Sequence, residues 1–208
     1  LYIVVIATLL SVPIGILTAL YLTEVKGKGA GLVRFFVQAM SGVPSIVAGL
    51  FIFAFWMIQL GNAYSGIAGG FALTVLMIPT VARTAEEVLK LIPQDLREAG
   101  LALGATQWRT VAMVVIPAAR SGLITAVILG IARVVGETAP LLLTIGGADA
   151  INLNPTSGNM SAFPYYVWKN LLIGSENAIS RAWLGVFVLM ILVLIFFALA
   201  RYFGAAKG

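Results

Sequence analysis

Long apolar runs alternate with short polar segments along this chain. Five of the runs are candidates for membrane-spanning helices, at residues 1–22, 35–60, 66–82, 118–145 and 183–202. About 20 residues in a helix cross a hydrocarbon core that is roughly 30 Å thick. The pattern therefore predicts an all-α polytopic membrane protein in which residues 1–208 form a single transmembrane domain.

Two of the predicted spans contain signals for a break in the helix. Residues 41–45 (Ser-Gly-Val-Pro-Ser) interrupt the second span near its start, and they either kink a helix or line a polar cavity. The fourth span, at about 42 Å, is longer than the membrane core needs. We expect it to break at Gly136, because Pro140 would displace the carbonyl group of that residue.

The segment after the third span has the pattern of an amphipathic helix. Residues 83–92 extend an apolar stripe that includes Val81 and Val88, while Glu86 and Lys90 are expected to face outward. Such a helix either lies at the membrane surface or continues the span.

Residues 93–117 are the most polar helix-compatible part of the chain. Pro93 suits the first turn of a helix, and Gly104 suits its C-terminal cap because glycine adopts left-handed backbone without a steric penalty. Ala99 and Gly100 leave small surfaces that another chain could approach closely. The segment predicts a docking helix, although a solvated loop helix without a role fits the pattern equally well.

Composition supports the membrane class and excludes several functions. The chain is 61% hydrophobic and 10% charged, which would leave a soluble domain with large exposed apolar patches. It contains no cysteine and no histidine, so thiol catalysis, disulfides and histidine-ligated metal sites are excluded. The net charge of +5 is not clustered on one face or tail, so we expect no nucleic-acid partner.

The distribution of basic residues predicts the orientation in the membrane. One side is expected to hold Lys26, Lys28, Arg34, Arg83, Lys90, Arg97, Arg109, Arg120, Arg201 and Lys207. The other side is expected to hold only Lys169 and Arg181. Because basic loops remain in the cytoplasm, residues 93–117 and the C-terminus are predicted to be cytoplasmic.

Two charged residues lie within the fourth predicted span. Arg133 and Glu137 are four residues apart, which predicts one shared helical face and an ion pair. Charges in a membrane cost about 2.5 kcal/mol or more each, and they usually face a cavity or another chain. A guanidinium binds tetrahedral oxyanions through two parallel hydrogen bonds, so the pair predicts an anion path. The alternative is a buried ion pair that only fixes helix packing.

Arg83 is a further candidate, at the end of the third predicted span. It either faces the inner mouth of the path or is an interfacial arginine whose charge reaches for water.

Residues 98–100 (Glu-Ala-Gly), together with Gly104, Val114 and residues 116–117 (Ile-Pro), resemble the EAA loop of bacterial ABC-importer permeases. In that family the loop contains a cytoplasmic coupling helix, which sits in a cleft of the ATPase subunit. The resemblance implies a type I, MetI-like transmembrane domain with six spans, of which five are present here. It also implies these ATPase-coupling residues: Arg97, Glu98, Ala99, Gly100 and Gly104.

A second, more specific resemblance lies around the two charges of the fourth span. Residues 132–142 (Ala-Arg-Val-Val-Gly-Glu-Thr-Ala-Pro-Leu-Leu) resemble the signature of phosphate-importer permeases of the PstA-like type, and residues 79–84 are similar to the same family. The resemblance implies that Arg133 contacts phosphate transiently and that Glu137 modulates this contact. The partner subunits of the PstC-like type usually carry Met-Ala where this chain has residues 139–140 (Ala-Pro).

The resemblance implies a subunit of an ATP-driven phosphate importer in the inner membrane. Its expected partners are an ATP-binding subunit dimer, a PstC-like permease, an external phosphate-binding protein and the lipid bilayer. The sequence has no Gly-x-x-x-x-Gly-Lys-Ser/Thr loop, so ATP and Mg²⁺ are expected on the separate ATPase, and the chain itself is expected to be neither catalytic nor a metal or cofactor carrier.

Three other functions fit the pattern less well. One is a permease for another oxyanion such as molybdate or sulfate, and another is an anion channel with Arg133 as its filter. The third, an intramembrane enzyme, would have only Glu137 as a carboxylate within its spans.

Overall fold

Helices form nearly all of the regular structure of this protein. The computed structural model describes residues 1–25 and 27–205. The helices in chain order are α1 (Tyr2–Glu24), α2 (Lys28–Ser41), α3 (Ser45–Ile52), α4 (Gly66–Lys90), α5 (Gln94–Ala102), α6 (Gln107–Thr110), α7 (Ile116–Val135), α8 (Ala139–Thr144), α9 (Phe163–Ile173) and α10 (Glu176–Ala205). Two π-helical segments extend them, Phe53–Gln59 after α3 and Val111–Val115 between α6 and α7.

The centre of the fold is a parallel pair formed by α1 and α4. Close backbone approaches recur along the pair. A Cβ atom on Gly70 would lie 2.5 Å from Cγ2 of Ile6, and a Cβ atom on Gly15 would lie 2.8 Å from Cγ1 of Val81. Both numbers are below any normal contact distance, so the absence of side chains at these glycines is what lets the two helices pack closely.

Two apolar clusters lie at the two ends of this pair, and both include α4. The first consists of Ile3, Ala7, Leu73, Met77, Val81, Val134, Leu141, Ile145 and Met160. The second consists of Ala19, Leu20, Ala85, Leu89, Val111, Val115, Ala119, Leu123 and Ala126. Helix α7 packs antiparallel on α4, with Gly122 against Val88 and Gly130 against Val81.

The spans agree with the predicted polytopic helical architecture. Within the part of the chain that the structure describes, four stretches are long and apolar enough to cross a membrane: Tyr2–Glu24, Gly66–Lys90, Gln107–Val135 and Glu176–Tyr202. A fifth crossing requires the pair Lys28–Ser41 and Ser45–Gln59, which is bent by 102°. The predicted second span, 35–60, is therefore two helices, because the Pro44 turn ends α2 and starts α3 in a new direction.

Two predicted boundaries differ from the structure. The predicted third span (66–82) and the amphipathic helix after it form one continuous helix, α4, so of the two alternatives for that amphipathic helix the continuation of the span is confirmed. The predicted fourth span (118–145) instead runs from Gln107 to Val135, so it starts inside the predicted coupling segment 93–117. Pro117 does not interrupt this span. Proline is tolerated there because it lies in the first turn of α7, and the π-helical segment before it joins α6 to α7.

The predicted break at Gly136 is confirmed. Gly136 caps the C-terminus of α7, and the next helix, α8, starts at Ala139 with Pro140 in its first turn.

The two ends of α4 contact different polar regions. At its N-terminal end the backbone N–H of Ile67 donates to the carbonyl of Pro155 at 2.9 Å. At its C-terminal end the carbonyl of Leu89 accepts a hydrogen bond from Arg97 of α5 at 3.1 Å. A helix of 25 residues is about 37 Å long. The asparagine-rich segment 152–159 and the helix α5 therefore lie at opposite ends of the bundle, which we call the loop end and the α5 end.

The loop end is ordered by side-chain hydrogen bonds. The amide of Asn152 donates to the carbonyls of Ser157 at 2.9 Å and Asn159 at 3.2 Å. The ammonium group of Lys169 donates to Asp149, and this hydrogen bond raises the pKa of Lys169. Lys169 thus lies at the loop end, as the charge distribution predicts. Lys26 and Lys207 lie outside the described residues.

Candidate functional site

Arg83 and Arg133, which are far apart in sequence, line one cavity of about 230 Å³. Arg83 belongs to α4 and Arg133 to the last turn of α7. Their companions in the lining are Met40, Ser41, Val43, Leu76, Pro79 and Thr80. Among the described residues, no Asp or Glu lines this cavity. It therefore combines two permanent positive charges with the hydroxyl groups of Ser41 and Thr80, and it favours an anion over a cation.

The break at residues 41–45 positions one wall of this cavity. Helix α2 ends at Ser41, and Pro44 caps the start of α3. Of the two alternatives for this break, a simple kink or a polar cavity wall, the structure shows both features together. Ser41 and Val43 face the same cavity as Arg133.

Glu137 is not the ion-pair partner of Arg133, and that prediction is wrong. Helix α7 ends at Val135, so the four-residue spacing that aligns two side chains on a helix does not apply across Gly136. Neither residue forms an ion pair or a side-chain hydrogen bond within the described part of the chain. Glu137 is half-buried in the break, outside the lining of the cavity.

One of the carboxylates that are buried near the α5 end is Glu86, which was predicted to face outward. It is 5% exposed, and its Oε1 accepts hydrogen bonds from Arg34 at 2.8 and 3.2 Å. Lys90 lies 3.0 Å from the same oxygen. The outward prediction is wrong because α2 folds back over this face of α4, and Arg34 supplies the opposite charge that a buried carboxylate requires.

The predicted coupling segment contains one short exposed helix. Pro93 is the N-cap of α5, and Gly104, with φ of 82°, follows the helix in left-handed backbone as predicted. Glu98 and Ala99 are exposed. Beside them, large apolar side chains point away from the fold, with Leu103 90% exposed.

Gly100 is the buried residue of α5, and it packs on Thr110. A Cβ atom at Gly100 would lie 2.6 Å from Cγ2 of Thr110 and 2.9 Å from its Oγ1. The glycine at this position, where the EAA pattern has alanine, is thus a local packing requirement of this chain.

Arg97 points inward from α5 instead of outward. Its Nε donates to Oε1 of Glu24 at 3.2 Å, and its two terminal nitrogens donate to the carbonyls of Ile92 at 2.9 Å and Leu89 at 3.1 Å. Both charged side chains are largely buried, with 15% of Arg97 and 7% of Glu24 exposed. The amide of Gln107 also donates to the backbone carbonyl of Glu24, at 3.1 Å.

Glu24 and Glu86 were missed as site residues by sequence reasoning. Glu24 is the last residue of α1, where a negative charge opposes the helix dipole, and this mismatch is a signal that a cationic partner is present. Glu86 carries no comparable signal, since its position on the outer stripe of a helix is typical of a solvated residue.

Comparison with known proteins places this fold and sequence in one family. The family described as "Binding-protein-dependent transport system inner membrane component" matches residues 11–207. The chain is 42% identical over 189 residues to the phosphate transport system permease protein PstA 1 of Mycobacterium tuberculosis, covering 90% of this chain and 62% of that protein. It is 42% identical to PstA of Mycobacterium leprae, covering 97% of this chain and 66% of the relative. It is 38% identical to PstA of Pasteurella multocida, covering 98% of this chain and 72% of the relative. The chain therefore spans about two thirds of the length of these relatives.

Solved structures agree with the fold. An inward-facing structure of the MetNI methionine ABC transporter superposes with a TM-score of 0.74 at 24% identity, covering 98% of this chain and 88% of that chain. A second crystal form of the same transporter gives a TM-score of 0.76 at 21% identity. These likenesses confirm the MetI-like helical architecture. With the family match and the PstA relatives, they show that the chain belongs to the inner membrane components of binding-protein-dependent transport systems and is a PstA-like, membrane-spanning permease domain.

Proposed function

We propose that this chain is the permease subunit of an ATP-driven importer for inorganic phosphate and forms half of the translocation path. The observation that carries the proposal is the cavity shared by Arg83 and Arg133, which presents two guanidinium groups and lacks an acidic lining residue among the described part of the chain. Sequence similarity to permeases named for phosphate transport supports the choice of anion.

The chemistry of the cavity suits a tetrahedral oxyanion. Each guanidinium offers two parallel N–H donors to a pair of phosphate oxygens. The hydroxyl groups of Ser41 and Thr80 donate to the carbonyls of Val37 at 2.9 Å and Leu76 at 3.4 Å, and each would have to turn from its carbonyl to donate to the same anion. Mutual repulsion between the two cations is relieved when the anion enters, so the empty cavity is primed to accept it.

Glu137 retains a modulating role in this proposal, exerted from the break between α7 and α8. A carboxylate approaching Arg133 competes with phosphate for the same donors, which helps to release the anion. Residues 136–138 lie outside regular helix, and such backbone at membrane depth is the part of a span that rearranges most readily.

The α5 end supplies the connection to an ATPase. Glu98 and Ala99 are exposed on α5, with Gly104 immediately after it, and exposed Leu103 and Trp108 give this surface an apolar contact area. We propose that a dimer of ATP-binding subunits grips α5, holds ATP and Mg²⁺, and drives alternating access while this chain hydrolyses nothing itself. The second permease is PstC-like, and an external phosphate-binding protein delivers the anion at the loop end.

The proposal includes an orientation of the chain in the membrane. The α5 end, with Arg34, Lys90, Arg97 and Arg109, faces the cytoplasm, and the C-terminus of α10 lies on that side as well. The loop end faces outward.

The test is phosphate uptake by the full-length protein in the assembled transporter, reconstituted in proteoliposomes with ATP supplied on the α5 side. We expect ATP-dependent accumulation of labelled phosphate, lost in Arg133→Gln. The control is Arg120→Gln, which removes an exposed arginine of the same helix outside the cavity and is expected to leave uptake intact.

The same preparation separates the alternatives. ATP-dependent accumulation of labelled sulfate or molybdate, with no accumulation of labelled phosphate, would identify another oxyanion as the substrate. Flux of phosphate without any ATP-binding subunit would identify a channel. Uptake that is unchanged in Arg133→Gln would remove Arg133 from the path.

A further inference from the structure

We propose that Arg97 is a positioning residue that transmits movement of α5 to the membrane-spanning helices, through Glu24 of α1 and the C-terminal carbonyls of α4. This inference rests on the proposed function, since it concerns how a push on α5 reaches the translocation path. It differs from the role implied by the EAA resemblance, in which Arg97 belongs to the surface that meets the ATPase.

The first argument is that hydrophobic packing holds α5 weakly. Of the nine residues of α5, all of which the structure describes, Gly100 is the buried one. A cavity of about 690 Å³ lies beside α5 and the ends of α1 and α4, and its lining includes Glu24, Lys90 and Arg97. A helix that borders such a space needs specific polar contacts if it is to move as one body with its neighbours.

The second argument is the set of acceptors that Arg97 contacts. The carbonyl of Leu89 lies in the last turn of α4 and that of Ile92 lies two residues beyond the helix, at the end that carries partial negative charge. Oε1 of Glu24 lies at the C-terminal end of α1. One guanidinium therefore joins the ends of two spans to α5.

The third argument is that these two spans move together. Helices α1 and α4 pack along their length through close approaches such as that of Gly15 to Val81. Arg83 lies on α4 six residues before Leu89, about 9 Å along the helix axis. A displacement of α5 that is carried by Arg97 reaches the wall of the arginine-lined cavity without crossing a loop.

Lysine cannot replace arginine in this role. An ammonium group is a point charge that can reach Glu24, whereas the guanidinium fork addresses Glu24 and two separate carbonyls at once. Glutamine at position 24 keeps an acceptor of the same size but removes the charge that pairs with Arg97.

The experiment measures rigidity and coupling in the full-length protein within the assembled transporter. The sequence contains no cysteine, so spin labels can be attached at Leu17→Cys on α1 and Ala102→Cys on α5, both exposed, after replacing any cysteine elsewhere in the assembly. We expect a narrow distance distribution that broadens in Arg97→Gln and in Glu24→Gln, with no further broadening in the double variant. Transport per ATP hydrolysed should fall about fivefold or more, the lower bound of typical coupling between protein sites.

A control variant and two possible results separate this role of Arg97 from a direct contact with the ATPase. Arg181→Gln, which removes an exposed arginine in α10 near the loop end, should change neither readout. Loss of the ATPase subunit from purified Arg97→Gln with an unchanged distance distribution would place Arg97 at the ATPase surface and overturn the proposal. A normal ratio of transport to ATP hydrolysis in Arg97→Gln would also overturn the proposal. Should Arg97→Gln not assemble, Glu24→Gln carries the same two measurements. The label distances are read without any substrate, so a wrong assignment of phosphate would not alter them.

Discussion

The guanidinium of Arg34 donates two hydrogen bonds, at 2.8 and 3.2 Å, to a single carboxylate oxygen of Glu86, across 52 positions of sequence. The same oxygen lies 3.0 Å from the ammonium group of Lys90. Arg34 also reaches the carbonyl of Leu22 at 3.4 Å, so the contact ties α2 to both α1 and α4. It fixes α2 against the bundle before the sharp bend that leads into α3.

Glu86→Gln is expected to destabilise the fold. An amide can accept a hydrogen bond but leaves Arg34 and Lys90 without a counter-charge, and we expect a loss of about 1–2 kcal/mol, reduced from the cost of a fully buried pair because both cations are partly exposed. The measurement is the thermal midpoint of the purified protein in detergent. The matched control is Glu87→Gln, at a neighbouring carboxylate that is 72% exposed, for which we expect almost no change. Equal shifts in the two variants would contradict this role of Glu86.

Gly49→Ala is expected to push apart α3 and α8, the helices that follow the breaks at residues 41–45 and at Gly136. A Cβ atom on Gly49 in α3 would lie 2.5 Å from Cα and 3.0 Å from the carbonyl oxygen of Pro140 in α8. Since the opposing atoms are backbone, they cannot yield by rotating a side chain, and we expect about 1–3 kcal/mol of destabilisation.

The control for Gly49→Ala is Gly31→Ala. Gly31 lies within α2 and has open space around its Cα, so alanine there should be neutral or slightly stabilising. The two variants add the same methyl group, and a comparable drop in the thermal midpoint for both would show that the approach of α3 to α8 is not a constraint.

Gly100→Ala and Thr110→Ala are expected to compensate each other. The methyl group of Gly100→Ala would collide with Cγ2 and Oγ1 of Thr110, and Thr110→Ala removes both atoms. Oγ1 of Thr110 is buried and has no hydrogen-bond partner among the described residues, so Thr110→Ala alone should be neutral or mildly stabilising. We expect Gly100→Ala to lower the thermal midpoint and the double variant to recover most of the loss. Additive effects of the two substitutions would exclude the contact.

Glu137→Gln is expected to leave thermal stability unchanged, because Glu137 forms no ion pair with any residue that the structure describes. Any effect should be on the rate of phosphate uptake. Arg133→Lys is the companion variant, since it keeps the positive charge while removing the planar fork. We expect it to retain a part of the uptake that Arg133→Gln loses. A large stability loss in Glu137→Gln would indicate that the carboxylate holds the fold instead.

The apolar pattern predicts the class of the fold because burial in a bilayer requires long apolar helices, and the breaks are predicted by Pro44 and Pro140. What the pattern does not contain is the direction of the chain after each break. The prediction that α7 breaks at Gly136 was correct, and it is incompatible with the predicted pair of Arg133 and Glu137, which needs an unbroken helix. The four-residue spacing rule therefore failed for Arg133 and Glu137 because the proline rule, applied to Pro140, correctly placed a break between them.

The site was predicted in part. Arg83 and Arg133 can be identified from their position within or beside spans, but their meeting in one cavity depends on the antiparallel packing of α4 and α7. The burial of Glu86 depends on α2 folding back over α4. The inward orientation of Arg97 depends on the ends of α1 and α4 lying together. These are tertiary relationships, and neither residue type nor spacing encodes them locally.

Pro79 lies inside α4 and also lines the arginine-lined cavity. Since proline has no N–H group, the carbonyl of Val75 loses its usual bond there, and the rod-like α4 has its softest point beside Arg83. Close approaches to α1 lie on both sides of this point, between Gly70 and Ile6 towards the loop end and between Val81 and Gly15 towards the α5 end. A bend of α4 at Pro79 therefore requires α1 to bend beside it, so the two helices change the width of the arginine-lined cavity together.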